Sequence, residues 1–180
     1  MRLQQIQASY WRDEDRLLFR ISFRDEAGNL QEIRSWLTRH LIKTLWPGII
    51  KALETQVALD NPNAAHASAE IVTMEHQATV DEIRSRGDFD VPFAPKIDGF
   101  PFGEHPILLV SAKISLGANR APRINFISAR NGSFEVGFTS EMLHGLCTVL
   151  QDAIKATDWE IELRMPGTIE PSWEQARVLN

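Results

Sequence analysis

Only one cysteine, Cys147, occurs in the 180 residues. A single thiol makes neither an internal disulfide nor a four-ligand zinc site, so nothing in the chain asks for an oxidising compartment and a cytoplasmic location is expected. No segment approaches the run of about 18 apolar residues that spans a bilayer. The opening stretch MRLQQIQASYWRDEDR is broken by polar residues too often to read as a secretory leader. No membrane partner is therefore expected. Positive charge is also scarce: 19 Lys and Arg stand against 24 Asp and Glu, a formal net charge of −5. That balance argues against a generic polyanion binder, because nucleic-acid affinity comes largely from Lys and Arg displacing counterions. Also missing are a glycine-rich phosphate loop, a nucleophile elbow and a dinucleotide fingerprint. No catalytic residue, metal ligand or cofactor is assigned.

What is present belongs to an ordinary globular protein, with 43% hydrophobic and 24% charged residues. The length predicts a single domain over 1–180. Charge is uneven along it. Residues 1–59 hold nine Lys or Arg against seven Asp or Glu, whereas 60–106 hold three against nine, leaving the first third mildly basic and the middle acidic.

Period-two alternation of Leu17, Phe19, Ile21 and Phe23 predicts a strand over 16–24 with one wet face. The turn cluster DEAGN and the returning LQEIRSW make it a hairpin, and a strand from Leu3 to Trp11 completes a three-stranded meander. From Thr38 the period changes. Leu41, Ile42, Leu45, Trp46, Ile49 and Leu53 form one broad helical stripe. Pro47 and Gly48 interrupt its middle, where proline removes an N–H and crowds the carbonyl of Lys43 at a cost of about 3 kcal/mol. The stripe keeps its phase past them, which predicts either a kinked continuous helix or two short helices sharing a buried face. A second, mostly polar helix is predicted over 61–86, capped by Asn61 and stopped at Gly87, with Ala65, Ala69, Val72, His76, Val80 and Ile83 as a thin apolar seam. Residues 88–106 then carry four of the nine prolines and four of the nine phenylalanines. Strand patterns resume from 107, with Asn131-Gly132 as the strongest hairpin signal. A helix from Thr139 to about Ala156, a last strand WEIELRM and a polar tail follow.

Aligning Thr38 with Thr139 also aligns Leu41 with Met142, Leu45 with Leu146, Ile49 with Leu150 and Leu53 with Ile154. Each block follows a strand, and each threonine suits a helix N-cap. The expected fold is α+β: two pseudo-repeated βββα units (1–58, and 107–166 with the final strand), their antiparallel sheets and helices packed around a shared core. A connecting helix and aromatic loop (59–106) join them, and 167–180 is a tail. A three-stranded sheet with one helix buries its apolar face poorly alone, whereas two can share a core.

Three functional readings follow. The favoured one is a non-catalytic interaction or scaffolding protein that associates with itself or another protein through Val72, His76 and Val80 of the seam, or through Phe89, Phe93, Phe100 and Phe102. In the second, the tandem sheet-plus-helix order is similar to that of the Whirly and PC4-like families. The resemblance implies single-stranded nucleic-acid binding, with Arg16, Arg20, Arg24 and Arg34 tracking phosphates and Tyr10 or Trp11 stacking on bases. The third is an enzyme or binder taking a small anion at a helix N-terminus, where Arg34, Arg39 and His40 converge. The acidic run at 13–15 lacks calcium-loop spacing and is read as a soluble turn.

Overall fold

A computed structural model describes residues 2–86, 96–117 and 120–167. In chain order its elements are strands β1 (Arg2–Trp11), β2 (Arg16–Arg24) and β3 (Leu30–Leu37), helix α1 (Arg39–Asp60), a 3-10 turn (Pro62–Ala67), helix α2 (Ser68–Arg86), strands β4 (Ile107–Leu116), β5 (Pro122–Ser128) and β6 (Ser133–Gly137), and helix α3 (Ser140–Lys155). The class is α+β. Three antiparallel strands and a helix occur twice in this order.

The two meanders are joined into one mixed sheet, where the alternation alone suggests two antiparallel ones. β3 and β4 run parallel and pair at Ser35↔Ile107 and Trp36↔Leu108, giving the order β1-β2-β3-β4-β5-β6. So short a junction lets the sheet bend. β2 and β5 lie three strand spacings apart, about 14 Å in a flat sheet. Yet the rings of Phe19 on β2 and Phe126 on β5 have centroids only 5.8 Å apart. The inward rows of the two halves, among them Leu17, Phe19 and Ile21 on one side and Ile124, Phe126 and Val136 on the other, therefore belong to a common core.

The helices close this core crosswise. α1, which follows β3, lies against β4, and α3, which follows β6, lies against β1. Thr38 accepts a hydrogen bond from the Leu41 amide at 3.2 Å and Thr139 one from Met142 at 3.2 Å, so each helix starts where a side-chain oxygen meets an orphan N–H. α1 runs through Pro47 as one helix. Pro47 is exposed, so the Lys43 carbonyl deprived of its amide partner stands on the solvent side. Gly48 has its own reason: a Cβ there would stand 3.0 Å from Ile114 Cδ1, so its absence permits the close approach of α1 to β4. α2 turns Val72, His76 and Val80 inward and packs on α1 and α3.

The expected last strand does not form. Residues 159–165 do alternate, with Trp159, Leu163 and Met165 buried and Glu160, Glu162 and Arg164 exposed. They lie on the helix layer, so their backbone has side chains as partners: the Arg164 carbonyl accepts from Trp46 Nε1 at 2.9 Å and the Leu163 carbonyl from Gln151 Nε2 at 2.8 Å. Further on, Thr73 donates to the Pro166 carbonyl. The segment is a strap tying α3, α1 and α2 together.

Candidate functional site

Cross-strand register fixes which side chains share the outer face of the first meander. Arg16, Leu18, Arg20, Ser22 and Arg24 of β2 stand opposite Trp11, Ser9 and Gln7 of β1, and opposite Trp36, Arg34, Glu32 and Leu30 of β3. The four arginines of the nucleic-acid reading thus lie on one face with Trp11, which is 49% exposed and makes an edge-to-face contact with Trp36 at 6.2 Å. Tyr10 faces the other way. Its hydroxyl donates to Asp15 at 2.9 Å, and its ring meets the edge of Trp159 at 6.0 Å.

Most of these arginines are already engaged. Arg16 pairs with Glu14 at 3.2 Å, Arg20 donates to Gln7, and Arg24 donates to the Gly28 carbonyl at 2.7 Å. Arg34 is held three ways: by Glu32 at 2.6 Å, by the Glu104 carbonyl at 3.2 Å, and by the Phe100 ring, whose centroid lies 4.5 Å from the guanidinium. Glu32 is wholly buried although it points outward, because the chain returns beside β3 there. Asp98 exchanges hydrogen bonds with Leu30, and Gly99 accepts from the Glu32 amide at 3.0 Å. Each of the four arginines thus has a partner within the protein's own packing.

The three residues of the anion reading divide. Arg34 is committed as above, while Arg39 and His40 are exposed at the start of α1. The Arg39 cation helps to hold the Asp15 carboxyl below its ordinary value, after the larger effects of hydrogen bonds from Trp159 and Tyr10.

Of the interface residues, Val72, His76 and Val80 are covered by the chain's own helices. Phe100 lies under Arg34, and Phe102 packs on Phe134 at 5.5 Å. Phe89 and Phe93 lie outside the described residues, as does the tail from 168. His76 faces His144 of α3 with ring centroids 5.5 Å apart, a pairing that sequence spacing gives no means of finding. Burial pushes the Cys147 thiol up to about 12, so it is no nucleophile near neutral pH. Among the described residues no group of three or more His, Cys, Asp or Glu is placed to hold a metal ion, and no helix is long and apolar enough to cross a membrane.

β1 carries a feature that motif spacing does not report. It is the outermost strand, and among the described residues its far edge carries no ladder. Leu3 to Trp11 contains no charge, proline or glycine. Edge strands are commonly blunted by such residues. The other outer strand, β6, has five residues with Glu135 at its centre and Gly137 at its end. β1 has ten. Arg2 stands at its start and its pairing with β2 is irregular between Leu3 and Gln5, so Gln5–Trp11 is the stretch of this edge with neither charge nor bulge among the described residues.

Comparison with protein-family models, curated proteins and solved structures finds no match for the chain.

Proposed function

We propose that this chain is a non-catalytic interaction protein that associates with a second copy of itself by antiparallel pairing of β1 with β1 across a twofold axis. The observation that carries the reading is the far edge of β1, which carries no ladder among the described residues. An antiparallel edge is self-complementary, since a twofold axis presents each strand with the same pattern of donors and acceptors. Leu3–Trp11 is uncharged, so no like charges oppose one another when two copies meet. The arginines of the outer face then lie side by side in a continued sheet instead of face to face, which favours edge pairing over stacking of two basic faces. Half-exposed Trp11 sits at the end of the same strand and extends the contact with an aromatic anchor of the kind that interfaces favour.

Sedimentation equilibrium tests this. Gln4 and Ser9 are exposed on β1, and lysines there would place like charges along the shared edge while leaving the core intact. The parent should dimerise with concentration, and Gln4→Lys with Ser9→Lys should weaken the dimer by about tenfold or more at unchanged circular dichroism. A parent that stays monomeric at about 100 μM, a concentration at which even weak pairing is populated, would overturn the reading.

A further inference from the structure

The helix layer holds a polar cluster that edge pairing does not use. His76 on α2 and His144 on α3 stand with ring centroids 5.5 Å apart and planes tilted by 46°. His144 is 1% exposed, neither of its ring nitrogens has a hydrogen-bond partner, and Nδ1 of His76 has none. A neutral imidazole always carries one N–H, so these rings hold unmet hydrogen-bonding capacity in a place where proteins rarely leave it. The other polar groups around them come from each adjoining helix. Glu75 of α2 has Oε2 3.7 Å from His144 Nε2, Gln151 of α3 hydrogen-bonds His76, and Asp60 at the end of α1 acts on Glu75.

We propose that the His76–His144 pair is a pH-operated latch, which holds α2 against α3 while both rings are uncharged and releases it when they take up protons. α2 is the element suited to move. Among its described side chains three are buried, Val72, His76 and Val80, whereas α1 and α3 bury eight each. Burial drives His144 down to about 4, with repulsion from His76 adding to it. Burial also lowers His76, against a smaller opposing effect of Gln151. Both groups regain their ordinary value near 6.5 once α2 lifts away. The docked state therefore binds fewer protons than the open one, so docking is at full strength above about pH 6.5 and weakens as the pH falls towards about 4. Glu75 opposes this. Burial and then Asp60 raise its carboxyl, and once His144 is charged the Glu75 carboxylate is its near partner, which limits the release.

Amide hydrogen exchange of α2, corrected for intrinsic rates and referenced to α1, reads the latch directly. From pH 7.5 to 5.0 the opening of α2 should increase by roughly tenfold to thirtyfold. His76→Gln with His144→Gln should reduce that increase to about twofold or less, and Glu75→Gln should enlarge it. α2 exchange that stays level with α1 across the interval, or an increase that survives loss of both histidines, overturns the proposal. Should the double variant not fold, imidazole titration of the parent by NMR decides: His144 titrating near pH 6.5 overturns it, and His144 titrating below 5 supports it.

Discussion

Trp159→Ala removes the anchor of the strap. The side chain is 2% exposed, meets Tyr10 edge-to-face at 6.0 Å and donates from Nε1 to Asp15 at 2.5 Å, so it pins the chain beyond α3 to the turn between β1 and β2. Truncating a buried tryptophan costs about 3–5 kcal/mol through lost transfer energy and the cavity left behind. The edge-to-face contact lies within that figure and is not added to it. Against a typical total of about 5–15 kcal/mol, a loss near 4 kcal/mol is a large fraction. For a chain of this size it lowers the melting temperature by roughly 8–16 °C. The assay is urea unfolding followed by far-ultraviolet circular dichroism, with two companions. Trp159→Phe keeps most of the apolar burial but loses the N–H donor and part of the ring volume, so it should fall between the parent and the alanine variant. Ile161→Ala, two residues on and only half-buried, should cost about 1 kcal/mol. If Trp159→Ala lies within about 1 kcal/mol of the parent, the strap is not part of the cooperative core and the reasoning fails.

Two further outcomes follow from the same contacts. Thr38→Ala and Thr139→Ala each remove one cap and should each lower stability by about 1 kcal/mol, seen as similar shifts of the urea midpoint at constant slope; a silent Thr139 variant would mean that the two helix starts are not equivalent. Cys147, buried and raised to about 12, should resist thiol reagents at pH 8 until the chain unfolds, and labelling in native buffer at the rate of a free thiol would contradict its placement.

The strands and helices were legible because their signals are local. Alternation at Leu17–Phe23, the Asn131-Gly132 turn and the threonine-capped stripes each report on a few neighbouring residues, and the α+β class follows from their order. What the pattern could not supply is whatever depends on partners distant in the chain. The β3–β4 junction pairs two residues on each strand and leaves no mark in composition. Residues 159–165 show why alternation misleads: it records that one face is covered and is silent on whether a strand or a helix layer covers it. Glu32 is a similar case: register puts it on the outer face of the first meander, yet it is wholly buried beside the returning segment at 98–99. Of the candidate site residues, register alone would have grouped Arg16, Arg20, Arg24 and Arg34. Their engagement by Glu14, Gln7, Gly28 and Glu32 depends on side-chain reach and on the packing of the 96–106 segment.

The two meanders share one core, and Phe19 and Phe126 report on that arrangement most directly. A double-mutant cycle with Phe19→Leu and Phe126→Leu, read by urea unfolding, should give a coupling of about 0.5–1.5 kcal/mol, as expected for aromatic rings in contact. Additivity to within about 0.3 kcal/mol would place the rings apart, as in a flat sheet, and would contradict the shared core.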